Sequence, residues 1–137
     1  MEVGRFLEAF GSWASSQPDI EGVALVGSYA RDAATEESDF DLIILTTKVA
    51  KYFQNQSWLS QFGDVEDSKV EDWGRVTSLR AFYENGLEVE FNFSTPDWAD
   101  IPMDAGTYRV VTGGMIIVYD PQCVLRALQQ GISPPAG

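Results

Sequence analysis

Val23 to Leu45 reads Val-Ala-Leu-Val-Gly-Ser-Tyr-Ala-Arg-Asp-Ala-Ala-Thr-Glu-Glu-Ser-Asp-Phe-Asp-Leu-Ile-Ile-Leu. The first four residues form an apolar run closed by Gly27, the pattern of a short buried strand. Gly27 carries no side chain at the point where the chain must turn and a ligand could approach the backbone. Ser28 is suited to cap a following short helix, and the free N–H groups of such a helix start suit a phosphate. A polar loop, Thr35 to Ser38, leads into a second strand from Asp39 to Thr46. Asp39 and Asp41 are two apart, so on a strand both side chains point to one face while Phe40 and Leu42 point to the other. Two carboxylates held side by side repel each other unless a cation lies between them, and a hard oxygen donor pair favours Mg²⁺. The run Leu42-Ile43-Ile44-Leu45 is apolar on both faces, which places this strand centrally in a sheet.

Outward from this core, residues 3 to 16 follow helical spacing, with Phe6, Leu7, Phe10 and Trp13 on one face. Gln17-Pro18-Asp19 ends that helix, because the residue before proline avoids the α region. Ile20 to Val26 is the first strand. Residues 48 to 62 read as a helix or a broken pair of helices closed by Gly63, and the charged stretch after it as loop or a short edge strand. Arg75 to Tyr83 is expected as a strand, and Asn85-Gly86 makes a hairpin turn. In the next strand Leu87, Val89, Phe91 and Phe93 alternate with Glu88, Glu90 and Asn92. Thr95-Pro96-Asp97-Trp98 reads as a capped helical turn. Tyr108 to Thr112 is a candidate short strand and Met115 to Tyr119 a further one. A last helix is expected from Asp120-Pro121 until Gly131 stops it. The fold class is therefore α+β: a mixed, twisted sheet with helices mainly on one face. Residues 1–132 are expected to form a single domain and 133–137 a flexible tail.

The pair Gly27-Ser28 with Tyr29-Ala30-Arg31, followed by Ser38-Asp39-Phe40-Asp41-Leu42, resembles the signature of the DNA polymerase β-like nucleotidyltransferase superfamily. The small prokaryotic members are the most similar, among them minimal nucleotidyltransferases and aminoglycoside adenylyltransferases. Such members often carry glycine after the arginine, where this chain has Asp32. The resemblance implies two Mg²⁺ ions, or Mn²⁺, held by Asp39, Asp41 and a third carboxylate on a neighbouring strand. Glu90 is the expected third, as second-metal ligand or general base, with Glu88 the alternative on the same face. Gly27 and Ser28 would contact a phosphate, and Arg31 either touches the phosphates or pairs with Asp32, Glu36 or Asp39. Lys48, Arg75 and Arg80 are further candidates to neutralise triphosphate, and spacing does not select among them. Trp58, Trp73 and Trp98 are read first as core and second as surfaces for a nucleobase.

Composition narrows the field. The 137 residues carry no histidine and one cysteine, Cys123. Histidine-based zinc sites and Ser-His-Asp triads are excluded, as is an internal disulfide, and a reducing cytoplasm suits the chain. No apolar run is long enough for a membrane span. A net charge of −12 argues against broad nucleic-acid binding and favours cationic acceptors or plain solubility. The expected activity is transfer of a nucleoside monophosphate, AMP from ATP, to a hydroxyl of a small molecule such as an aminoglycoside. The alternatives are a minimal antitoxin-type enzyme that modifies a tyrosine of a partner protein, and a non-catalytic nucleotide-binding module. One small domain has little to enclose an acceptor, so a homodimer or a helical partner protein is expected to supply the missing wall.

Overall fold

The computed structural model describes residues 3–26, 40–72, 76–84, 86–99 and 115–132. Helix α1 spans Val3–Ser15, and strands β1 and β2 span Ile20–Val26 and Phe40–Thr46. Helix α2 covers Val49–Gln54 and is followed by a 3-10 helix, Ser57–Phe62. Strands β3 (Val65–Asp72), β4 (Thr77–Tyr83) and β5 (Glu88–Ser94) come next, then a short 3-10 helix, Pro96–Ala99. Strand β6 (Met115–Tyr119) and helix α3 (Val124–Ile132) complete the described chain.

All six strands lie in one sheet, in the order β3-β4-β5-β2-β1-β6. The β2–β5 pair is parallel and the other neighbours are antiparallel, which gives the mixed sheet expected. Its two faces carry different layers. On one, Phe6, Phe10 and Ala14 of α1 pack with Leu42, Ile44, Leu79, Val89, Phe91 and Phe93, all fully buried. Trp58 stands edge-on to Phe91 with centroids 4.9 Å apart and donates its indole N–H to the Tyr52 carbonyl at 3.0 Å. Fully burying each such aromatic side chain stabilises the fold by roughly 2–3 kcal/mol, so this aromatic layer is the principal core. The other face holds a smaller cluster in which Ala24, Val26, Ile43, Leu45 and Met115 meet Trp98 and Leu125. Helices thus lie mainly on one side, with α3 and the Pro96–Ala99 turn on the other.

Several boundaries differ from the sequence reading. The segment 48–62 is the broken pair, split at Asn55, whose extended backbone ends α2. Gly63 closes it with φ at 148°, where a Cβ would lie 3.2 Å from the Tyr83 ring. The charged stretch is a full eight-residue edge strand, since Val65 to Asp72 pairs along the whole of β4. In β4, Leu79 faces the aromatic core while Phe82 lies on the opposite face, following the period of two. The last helix begins at Val124, later than expected. Asp120 instead caps it from four residues away, accepting the N–H groups of Leu125 at 3.2 Å and Arg126 at 2.9 Å. Gly131 does not stop α3, which runs to Ile132. The expected helix after Ser28, the candidate strand at 108–112 and the tail 133–137 lie outside the described residues. Among the described residues no helix is long and apolar enough to cross a membrane.

Candidate nucleotidyl-transfer site

Strand register brings the site together. Val26 of β1 pairs with Asp41 of β2, Asp41 with Glu90 of β5, and Glu90 with Arg80 of β4. Side chains at paired positions project to the same face. Asp41, Glu90 and Arg80 therefore form a row across three adjacent strands, on the face opposite α1. Neighbouring strands are about 4.8 Å apart, and two unit charges near that spacing repel by about 3 kcal/mol at an effective dielectric of about 20. The Asp41 and Glu90 carboxylates thus call for positive charge beside them.

Arg80 supplies some of it. Its Nη2 donates to Glu90 Oε2 at 2.6 Å, and its Nη1 lies 3.6 Å from Glu88 Oε1. The Arg80 and Glu90 side chains are 26% and 19% exposed, so this ion pair is screened less than a surface one. Two residue pairs along the ladder, on the same face, Ser78 donates to Asn92 Oδ1, and Asn92 Nδ2 donates to the Leu42 carbonyl at 2.9 Å. The Asn92 amide thereby ties β5 to β2 beside Asp41 and Glu90. Asp41 is itself engaged; its Oδ1 atom is buried and receives no hydrogen bond from the described residues.

Of the residues expected from sequence, Asp41 and Glu90 lie side by side. Glu88 lies one step further out on the same face, joined to the row through Arg80. Gly27, Ser28, Arg31 and Asp39 fall outside the described residues; Gly27 follows directly on Val26, the register partner of Asp41. Among the described residues no three acidic, cysteine or histidine side chains gather as a metal-binding group. Of the three cations left open, Arg80 is at the row, Lys48 follows β2 at its far end, and Arg75 is not described. Trp58 and Trp98 are buried at 6% and 3% exposure and belong to the two cores rather than to a base-stacking surface. Trp73 is not described.

A second polar cluster went unnoticed in the sequence. Asp19, just before β1, is buried and accepts hydrogen bonds from Thr46 Oγ1 at 2.7 Å, Tyr52 at 2.6 Å and Lys51 Nζ at 2.8 Å. Burial disfavours its charge, but these donors outweigh that and hold its carboxyl at about 2. Burial and the Asp19 carboxylate push the Tyr52 hydroxyl well above its ordinary range. Because Ile20 pairs with Thr46, this cluster is at the opposite end of β1 and β2 from Asp41 and serves the fold.

A family model described as streptomycin adenylyltransferase matches residues 4–78, a segment that includes Gly27, Ser28, Asp39, Asp41 and all of β1 and β2. No curated protein matches the chain. Among solved structures, the chain is similar to an aminoglycoside 6-adenyltransferase from Bacillus subtilis, with 16% identity and a TM-score of 0.52, covering 69% of this chain and 36% of that one. It is also similar to a CCA-adding enzyme in its apo form, with 13% identity and a TM-score of 0.47, covering 93% of this chain and 31% of that one. The chain spans about a third of the length of these solved structures. With more than half of its residues matched and a sheet of the nucleotidyltransferase fold, the chain belongs to the streptomycin adenylyltransferase family of the nucleotidyltransferase superfamily.

Proposed function

We propose that the protein transfers AMP from ATP to a hydroxyl group of a small cationic acceptor, an aminoglycoside being the fitting class. The observation that carries this reading is the pairing of Asp41, inside the family-matched segment, with Glu90 on the adjacent parallel strand. The donor set fits a hard divalent ion: carboxylate oxygens only, with Asp41 and Glu90 half-buried and no histidine anywhere in the chain. Asp39, Asp41 and Glu90 would hold Mg²⁺, or Mn²⁺, with two ions expected. The metal would supply charge neutralisation at the triphosphate and a more nucleophilic acceptor oxygen.

The chain's own residues would do the rest. Gly27 and Ser28 would bind a phosphate through backbone N–H and hydroxyl, with Arg31 either beside it or paired to a neighbouring carboxylate. The acceptor oxygen would bond to the α-phosphorus as the bond to the bridging oxygen breaks, releasing pyrophosphate. Glu90 would take the acceptor's proton or hold the second ion. The net charge of −12 favours a cationic acceptor over a nucleic acid. A second copy of the chain, or a helical partner protein, would close the acceptor side of the open sheet, and a reducing cytoplasm would be the setting. Mass spectrometry of an aminoglycoside panel after incubation with ATP and Mg²⁺ tests this reading. Mass added by one AMP, absent with Asp41→Asn, is the expected result; no adduct on any member would reject the acceptor class.

A further inference from the structure

We infer that Arg80 is the positioning residue for Glu90, fixing one carboxylate oxygen so that the other is presented toward Asp41 and the metal. The inference deepens the proposed metal and triphosphate reading and rests on it. Three observations carry it. Arg80 and Glu90 are register partners on antiparallel strands, so backbone pairing alone brings their side chains together. The contact is made by one guanidinium nitrogen to one oxygen, Nη2 to Oε2 at 2.6 Å. The second nitrogen, Nη1, leans toward Glu88 Oε1 at 3.6 Å, which braces the guanidinium plane from the outer side.

A rigid planar fork held from two sides orients a carboxylate in a way that a point charge on a flexible stem does not. Glu90 has one more rotatable bond than an aspartate and is 19% exposed, so the Arg80 contact narrows the rotamers its carboxylate adopts. Outer partners of this kind typically change metal affinity or activity by about 10–100-fold when removed. Arg80 would act through Glu90, without touching the triphosphate. Lys48, also raised by the sequence, has no such place: it is exposed beyond the far end of β2.

The test is an electron paramagnetic resonance titration of Mn²⁺ onto the full chain in the presence of a non-hydrolysable ATP analogue. Wild type is compared with Arg80→Met, Arg80→Lys, Glu90→Gln and the Arg80→Met/Glu90→Gln double variant, each checked by thermal melting. Arg80→Met should weaken the weaker Mn²⁺ site about tenfold. Arg80→Lys should fall between wild type and Arg80→Met. The double variant should bind no more weakly than Glu90→Gln alone, because both changes remove the same oriented ligand. Unchanged or tighter Mn²⁺ binding in Arg80→Met overturns the inference, as does a double variant with additive losses. Weaker analogue binding at saturating Mn²⁺ would place Arg80 on the phosphates and overturn it too. If Arg80→Met fails to fold, Arg80→Lys decides: wild-type affinity overturns the inference, and a partial loss supports it. A wild-type chain that binds no Mn²⁺ with the analogue refutes the underlying metal reading, and the inference falls with it.

Discussion

Replacing Asp19 by asparagine removes a buried charge while keeping the shape of the side chain. The carboxylate accepts three hydrogen bonds of 2.6 to 2.8 Å, from Tyr52, Thr46 and Lys51. Burial raises its pKa and those donors lower it further still, to about 2 against an ordinary 3.8. At 1.36 kcal/mol per pH unit, that gap corresponds to about 2 kcal/mol of folding stability. Because the carboxyl is more acidic folded than unfolded, the stabilisation is complete above about pH 4 and is lost as pH falls through about 2. Asp19→Asn should therefore cost about 2 kcal/mol at pH 7, or roughly 4–10 °C in melting temperature for a domain of this size. Urea titrations of both proteins at pH 7 and pH 3 test it. The gap should shrink to roughly half at pH 3, where the wild-type carboxylate is losing its advantage. Equal stability at pH 7 would refute the reasoning, and so would a gap that widens on acidification.

Two further outcomes follow from the site. Glu90→Gln should leave ATP affinity within about threefold and cut turnover strongly, measured by single-turnover kinetics on an identified acceptor; if Glu88→Gln is the more damaging change, Glu88 is the working carboxylate. The open sheet should be completed by a second copy or a partner, so light scattering after size exclusion is expected to give twice the mass of one chain, and a strict monomer active unaided on a small molecule would contradict this.

How far the sequence speaks depends on the range of the interaction. Period-two alternation set out Leu87 to Phe93 correctly, because one face of β5 meets the aromatic core and the other carries Glu88, Glu90 and Asn92. The i, i+4 spacing of Phe6 and Phe10 was equally clear, since burial of that stripe is what makes α1 a helix here. Pairings between distant strands were not legible. Nothing local links Arg80 to Glu90; their contact depends on β4–β5 register, which is fixed by the whole hairpin. Asp19 follows Pro18 where the first helix ends, and the partners of its carboxylate, Thr46, Lys51 and Tyr52, lie far along the chain. The start of α3 was misplaced because Asp120 caps across an intervening turn in which Cys123 takes a positive φ of 59°. At the site, Glu90 stands in register with Asp41, while Gly27, Ser28, Arg31 and Asp39 rest on the sequence pattern.

Titration calorimetry with ATP, run with and without Mg²⁺ on wild type and on the Asp39→Asn/Asp41→Asn double variant, tests the paired-carboxylate site most directly. Binding that requires Mg²⁺ in the wild type and disappears in a double variant with a native melting curve is the predicted result. ATP affinity unchanged in the double variant would contradict the account.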